Sequence, residues 1–310
     1  MSAKFTVSKQ VRLQPPRFFQ AASAALVMLT LHISPSLAGD PFRSSNPRPI
    51  DDRTESVFRT FFEQGNYAKA KGDLEPLVKA GQKADPLALA MRAAVAYADI
   101  NGSGGNKAAA LEEFRTYAER TRIAAGSLGD PVRSKLYIGV SYFLDGAYIL
   151  LKDGTVNGTP AALGKAQSAF KQFDAAAAEA PNDPEVSLIK GFTDLFIALN
   201  LPFSSPSQAI NRLEKYAGPK YLAYRGVAIG YRELNQQAKA LTAVDRALQA
   251  TPATAANPEV LYLKAQILVR QGNHKASLPF FEKALAKKDQ LPPGSVRQIQ
   301  REYDRAKKRT

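Results

Sequence analysis

The 310-residue sequence contains no cysteine, no tryptophan and only two histidines, His32 and His274. Without Cys there are no zinc fingers, iron–sulfur clusters, thiol nucleophiles or disulfides. A Ser-His-Asp triad or a His-rich metal centre would have to be built from one of the two imidazoles. Runs of alternating apolar and polar residues are also missing, which leaves no basis for a sheet. Acidic residues are outnumbered, 28 Asp+Glu against 42 Lys+Arg, for a formal net charge of +14. An excess of that size points to an anionic partner. Hydrophobic residues make up 45% of the chain, enough for a full core.

The charge is unevenly placed. Lys4, Lys9, Arg12 and Arg17 form a basic start with no acidic residue, followed by an apolar stretch from Ala21 to Ile33, Pro35, and Ser36-Leu37-Ala38. This is the pattern of a secretory signal over residues 1–38, cleaved after Ala38, because a 13-residue stretch is too short to cross a bilayer. Export to a periplasmic or otherwise extracytoplasmic space follows, and a chain free of Cys does not depend on oxidation there. His32 leaves with the signal, the charge falls to +10, and no transmembrane helix is expected in the mature chain. Residues 39–180 then carry 18 basic and 17 acidic groups, and residues 181–310 carry 20 and 11. The basic character sits in the C-terminal half.

Residues 39–52, rich in Pro and polar groups, are expected to be a flexible linker. Residues 53–310 have helical spacing almost throughout, broken by Gly, Pro and Asn, so the fold class is all-α. The helices come in pairs. Tyr224, Val227, Ala228 and Tyr231 share a face; Asn235 turns the chain; Ala240, Val244, Ala247 and Leu248 face back. Leu261, Ala265 and Leu268, the turn Gly272-Asn273-His274, and Leu278, Phe281 and Ala284 repeat the arrangement. So do Val57, Phe58 and Phe61 before Gly65-Asn66-Tyr67-x-x-Ala70, the pair Ile138-Gly139 and Tyr142 with Ala169, Phe173 and Ala176, and Gly191 with Ala209 and Leu213. A divergent pair spans 86–125. Loops are expected at 153–160 and 201–206, and a capping helix at about 294–308 carries Val296, Ile299, Tyr303 and Ala306 on one side.

These positions resemble the tetratricopeptide repeat, a helix–turn–helix unit of about 34 residues that stacks into a right-handed α-solenoid. Five to six irregular pairs are counted. The segments Asn200-Leu201-Pro202-Phe203-Ser204, Tyr216-Ala217-Gly218-Pro219, 224–232 and 262–268 further resemble a family of exported cyanobacterial proteins with this repeat, of unassigned function. The resemblance supplies no catalytic residue and no cofactor.

Nothing in the sequence assembles a catalytic or metal-binding constellation. Gly102-Ser103-Gly104-Gly105 lacks the strand and the Gly-Lys-Ser/Thr ending of a phosphate loop. Asn101-Gly102-Ser103 and Asn157-Gly158-Thr159 read as turns, His274 as a packing residue, and Asp51-Asp52 and Glu112-Glu113 as solvated acids. Carrying the repeat's groove positions over gives Leu222, Arg225, Ile229, Arg232 and Glu233, then Glu259, Tyr262, Gln266, Val269 and Arg270. Arg225, Arg232 and Arg270 could grip carboxylates or phosphates in bidentate fashion, with Tyr262 for stacking; the alternative is that they are ordinary solvated helix residues. The expected function is a non-enzymatic adaptor or assembly factor whose concave surface holds a protein or peptide, acidic in character. The alternative is peripheral contact with the envelope, the basic C-terminal end docking on anionic lipid or cell-wall polymer. Export removes nucleic acid as a partner.

Overall fold

The computed structural model describes residues 39–100, 106–200, 206–251 and 256–310, so the signal and cleavage site expected at 1–38, the Gly102–Gly105 loop and most of the loop expected at 201–206 lie outside the described residues. Twelve α-helices and no strand occur among the described residues. They are α1 (Asp52–Phe62), α2 (Tyr67–Val78), α3 (Pro86–Ile100), α4 (Lys107–Gly126), α5 (Pro131–Glu179) and α6 (Pro184–Asn200). The second half holds α7 (Pro206–Lys215), α8 (Lys220–Glu233), α9 (Gln237–Gln249), α10 (Pro258–Arg270), α11 (His274–Leu285) and α12 (Pro293–Lys307). The small and large apolar positions picked from the repeat pattern form the core: Phe58, Ala70, Leu74, Ala169, Phe173, Ala228, Ala240, Val244, Ala265 and Phe281 are all nearly inaccessible.

The first helix of most pairs begins with an Asx cap, because the four leading amides of a helix need acceptors. Asp51, Asp85, Asp130, Asp183 and Asn257 each accept backbone N–H bonds from the first turn they precede. Pro86, Pro131, Pro184 and Pro258 follow four of these caps, where a missing amide costs nothing.

α5 corrects the loop expected at 153–160. It is a 49-residue helical stretch with one non-helical residue, Gly154, at φ 78° and ψ 168°. Such backbone is almost confined to glycine. The chain reverses there and resumes helix at once, so Asn157-Gly158-Thr159 is helical rather than a turn. The two arms run antiparallel, with Lys165 Nζ 2.8 Å from the Asp145 carboxylate and Lys135 paired with Glu179. Six helix pairs therefore precede the cap, α12, whose Ile299 and Ala306 are buried against Leu261, Ala265 and Phe281 of the last pair.

The segment preceding α1 is also corrected. It is folded, not a flexible linker. Ile50 N–H donates to Gly39 O at 2.8 Å and closes a loop, inside which Asp40 accepts from the amides of Phe42 and Arg48. Phe42 is buried with its ring 5.3 Å from Phe58. Arg43 reaches Asp183 at 2.7 Å and Glu185 at 3.0 Å, and Arg48 reaches Asp130 at 3.2 Å. The sequence signals of Pro and polar content were real, but they describe an Ω-type loop packed by its own side chains.

The two ends of the solenoid meet. Tyr67 Oη donates to Glu259 at 2.9 Å, and Asn257 Nδ2 donates to Phe62 O at 2.9 Å. Gly65 sits at φ 64° against Asn257, and a Cβ on it would lie 2.6 Å from Asn257 Oδ1. The first pair thus touches the sixth across about 190 residues of chain, as the 192-residue separation of Tyr67 and Glu259 states.

Candidate functional site

Closure turns the concave surface into a cavity of about 600 Å³. It is walled by α8, α10 and α12, with Tyr67 of α2 and Tyr97 and Ala98 of α3 opposite. The repeat puts alternate turns of the first helix of each pair on the inner wall, so all six expected groove residues, Arg225, Ile229, Arg232, Tyr262, Gln266 and Arg270, line this one space. Glu233, Glu259 and Val269 line it too. Leu222 does not: it is fully buried in the core between helices.

The arginines are not free, however. Arg225 pairs with Glu259 at 3.0 Å and exposes only 7% of its side chain. Arg232 pairs with Glu233 at 2.7 Å and bonds the Gln266 amide oxygen. Arg270 straps across to the Arg232 carbonyl at 2.8 Å and to Glu233 at 3.1 Å. Burial pulls the Arg232 guanidinium below its ordinary pKa, partly offset by Glu233. Burial and the Glu302 carboxylate push the Tyr262 phenol well above the usual range. The three cations expected to grip a ligand are thus first of all internal struts that hold α8 to α10. The reason is positional: Arg225 and Arg232 each meet a partner 34 residues on, Glu259 and Gln266, one repeat length away.

The sequence reading missed the outer part of the lining. Gln298, Glu302 and Arg305 of α12, with Arg309 just past its end, complete the wall. Glu302 is held by Gln266 Nε2 at 3.0 Å and Gln298 Nε2 at 3.2 Å. Among the described residues, Arg305 and Arg309 make no salt bridge, and both are exposed. Sequence periodicity places a capping helix here but assigns it no lining residue. His274 also reaches the lining; its carbonyl accepts from Ser277 Oγ at 2.6 Å, while its Nδ1 is buried without a partner. The paired acids act structurally: Asp51 caps α1, and Glu113 pairs with Arg92. No group of three or more His, Cys, Asp or Glu that could hold a metal occurs among the described residues.

A second cluster lies where the loop 39–51 meets the helix starts. Glu185, wholly buried, receives Arg43 at 3.0 Å, Arg133 at 3.3 Å and the Tyr137 hydroxyl at 2.8 Å. Burial would raise its carboxyl pKa, but Arg133, Arg43 and the Tyr137 hydrogen bond outweigh that and hold it below 4.5. Asp85 nearby is raised, because its burial exceeds what Arg133, 3.9 Å away, returns. Every charge here has an internal partner, so the cluster is a lock rather than a ligand site.

Helices in antiparallel pairs, stacked with small residues at their contacts and capped by an amphipathic helix, define an α-solenoid built to present an inner surface. A tetratricopeptide repeat family model matches residues 58–127 and 208–292, together half of the chain, and the protein belongs to the tetratricopeptide repeat family. The matched segments are the first two helix pairs, and most of α7 with the last two pairs. No curated protein matches the chain. Repeats of this family serve in general as scaffolds for contact with other proteins rather than as catalysts.

Proposed function

We propose that this protein is an exported, non-enzymatic adaptor or assembly factor that receives a protein segment in the cavity between α8, α10 and α12. The observation that carries the reading is the cavity itself: six groove positions converge on about 600 Å³ in which apolar Ile229 and Val269 alternate with hydrogen-bonding Gln266 and Tyr262. That volume suits a few side chains of an inserted segment rather than a folded domain. The pattern of residues 1–38 supports export, and no described helix is long and apolar enough to cross a membrane. A second reading, docking on anionic lipid or cell-wall polymer, is favoured by the exposed cations Lys307, Lys308 and Arg309 at the end of α12.

Photo-crosslinking tests the adaptor reading. A photoreactive residue at Val269 is expected to capture one discrete polypeptide in the producing cell, and the same residue at exposed Lys171 of α5 none. Equal labelling from both positions would overturn it. Sequencing the N-terminus of the purified mature protein tests export, with Gly39 as the expected first residue.

A further inference from the structure

α12 carries arginine at positions 297, 301 and 305, and Arg309 follows in the turn that closes its end, its N–H donating to Ala306 O at 3.0 Å. Spacing of four puts 297, 301 and 305 each above the next on the helix, where like charges repel rather than support it. Arg301, Arg305 and Arg309 are exposed, and none makes a salt bridge or side-chain hydrogen bond among the described residues. The favourable helix dipole accounts for cations in the last turn, such as Arg305, but not for Arg301 before it. Two of the three, Arg305 and Arg309, also line the cavity, where Arg225 is buried with its Nε lacking any acceptor.

We propose that this arginine ladder binds an extended peptide segment carrying acidic side chains at alternate positions, one end of which enters the cavity. The inference rests on the adaptor reading and names its partner's chemistry. Four residues of helix rise by about 6 Å. In an extended strand, every second side chain points the same way and recurs at about 6.6 Å. Carboxylates at positions i and i+2 of such a strand therefore meet Arg301 and Arg305 in step, and the next one along reaches Arg309 in the closing turn, each arginine able to take a bidentate pair. The ladder also turns by about 40° per step, since four residues overshoot one helical turn. A strand with its native twist follows that turn, whereas a flat layer of lipid headgroups would engage the rungs unequally. Apolar Ile229 and Val269 and the unpaired Arg225 Nε–H await the end of the segment that goes inward.

The test is fluorescence anisotropy with the protein and a labelled peptide of alternating Glu and Ser, its Gln-Ser counterpart, and vesicles of phosphatidylglycerol or phosphatidylcholine. Binding of the Glu-Ser peptide alone is expected. It should weaken by about tenfold or more in R301E/R305E/R309E and fall steeply as salt rises from about 0.05 to 0.5 M. The neutralised R301Q/R305Q/R309Q, which removes charge without introducing repulsion, should show an intermediate loss, and both variants should melt like the wild type. Equal binding of the Glu-Ser and Gln-Ser peptides, binding unchanged in the melting-competent variants, or binding of phosphatidylglycerol vesicles without the peptide would each overturn the ladder. Undiminished capture of a polypeptide at Val269 in R301E/R305E/R309E would overturn the ladder yet leave the adaptor reading standing. Absence of capture at Val269 in the wild type would remove the adaptor reading itself.

Discussion

Glu185 concentrates the problem of burying charge. Taken alone, a carboxylate with no solvent contact is strongly disfavoured, and only the two guanidiniums and the Tyr137 hydroxyl around it make the site tolerable. Glu185→Gln leaves Arg43 and Arg133 short of a counter-charge, and urea unfolding at pH 7 should show a loss of about 3–5 kcal/mol. The pH dependence has a definite sign. Because the folded-state pKa of Glu185 is depressed below 4.5, its stabilising share is fully present above that pH and is lost as pH falls through the lower folded value. Asp85, raised by burial, works the other way and recovers part of the loss on acidification. Comparing unfolding free energies at pH 7 and pH 3, the wild type should fall further than Glu185→Gln. A difference equal in both proteins would remove Glu185 from the acid response.

At the level of elements, the pairs were legible because each needs a small residue at the crossing and bulky ones around it. Ala228 and Ala240, like Ala265 and Ser277, are wholly buried, and those spacings announce a helix–turn–helix without any alignment. The hairpin of α5 was not legible. Gly, Asn and Pro between 153 and 160 have turn-forming preferences, yet one residue suffices to reverse the chain when it can adopt φ 78°. Pro160 lies inside the returning arm, past the first turn, so the arm forgoes one backbone hydrogen bond there. Gly154→Ala should therefore cost about 1–3 kcal/mol in thermal unfolding. A substitution of nearby exposed Thr155 by Ala should cost far less. The loop 39–51 failed as a prediction for the opposite reason. Its order comes from partners more than 80 residues away, Asp130 and Asp183 among them, which no local composition reports.

For the whole molecule, contact between the first and sixth pairs decides whether the inner surface is an open groove or a cavity. An open solenoid unfolds as a sum of neighbouring units, while a closed one gains a term linking its ends. Gly65→Ala forces a Cβ against Asn257 and Pro258 and should cost about 1–3 kcal/mol. Tyr67→Phe removes one hydrogen bond to a carboxylate and should cost roughly 1–3 kcal/mol. Both should raise hydrogen exchange of the amides in α10 as well as α2, the signature of an opened junction. Exchange confined to α2 would show that closure contributes nothing to the far end.

The sequence by itself determined the helical class, the pairing of helices and the family, because these rest on periodicity and on residue sizes within some 35 positions of one another. It also placed the six groove residues on one wall, since a repeat carries a position forward without knowledge of the rest of the chain. Tertiary structure alone decided what those residues do there. Glu259 and Glu233 had to be brought alongside Arg225, Arg232 and Arg270 before the arginines could be seen as struts. α12 had to fold over the last pair before Arg305 and Arg309 became part of the cavity. The N-terminal loop and the meeting of Tyr67 with Glu259 depend on superhelical curvature, a small rotation per pair summed over six, and no single stretch of sequence encodes that sum.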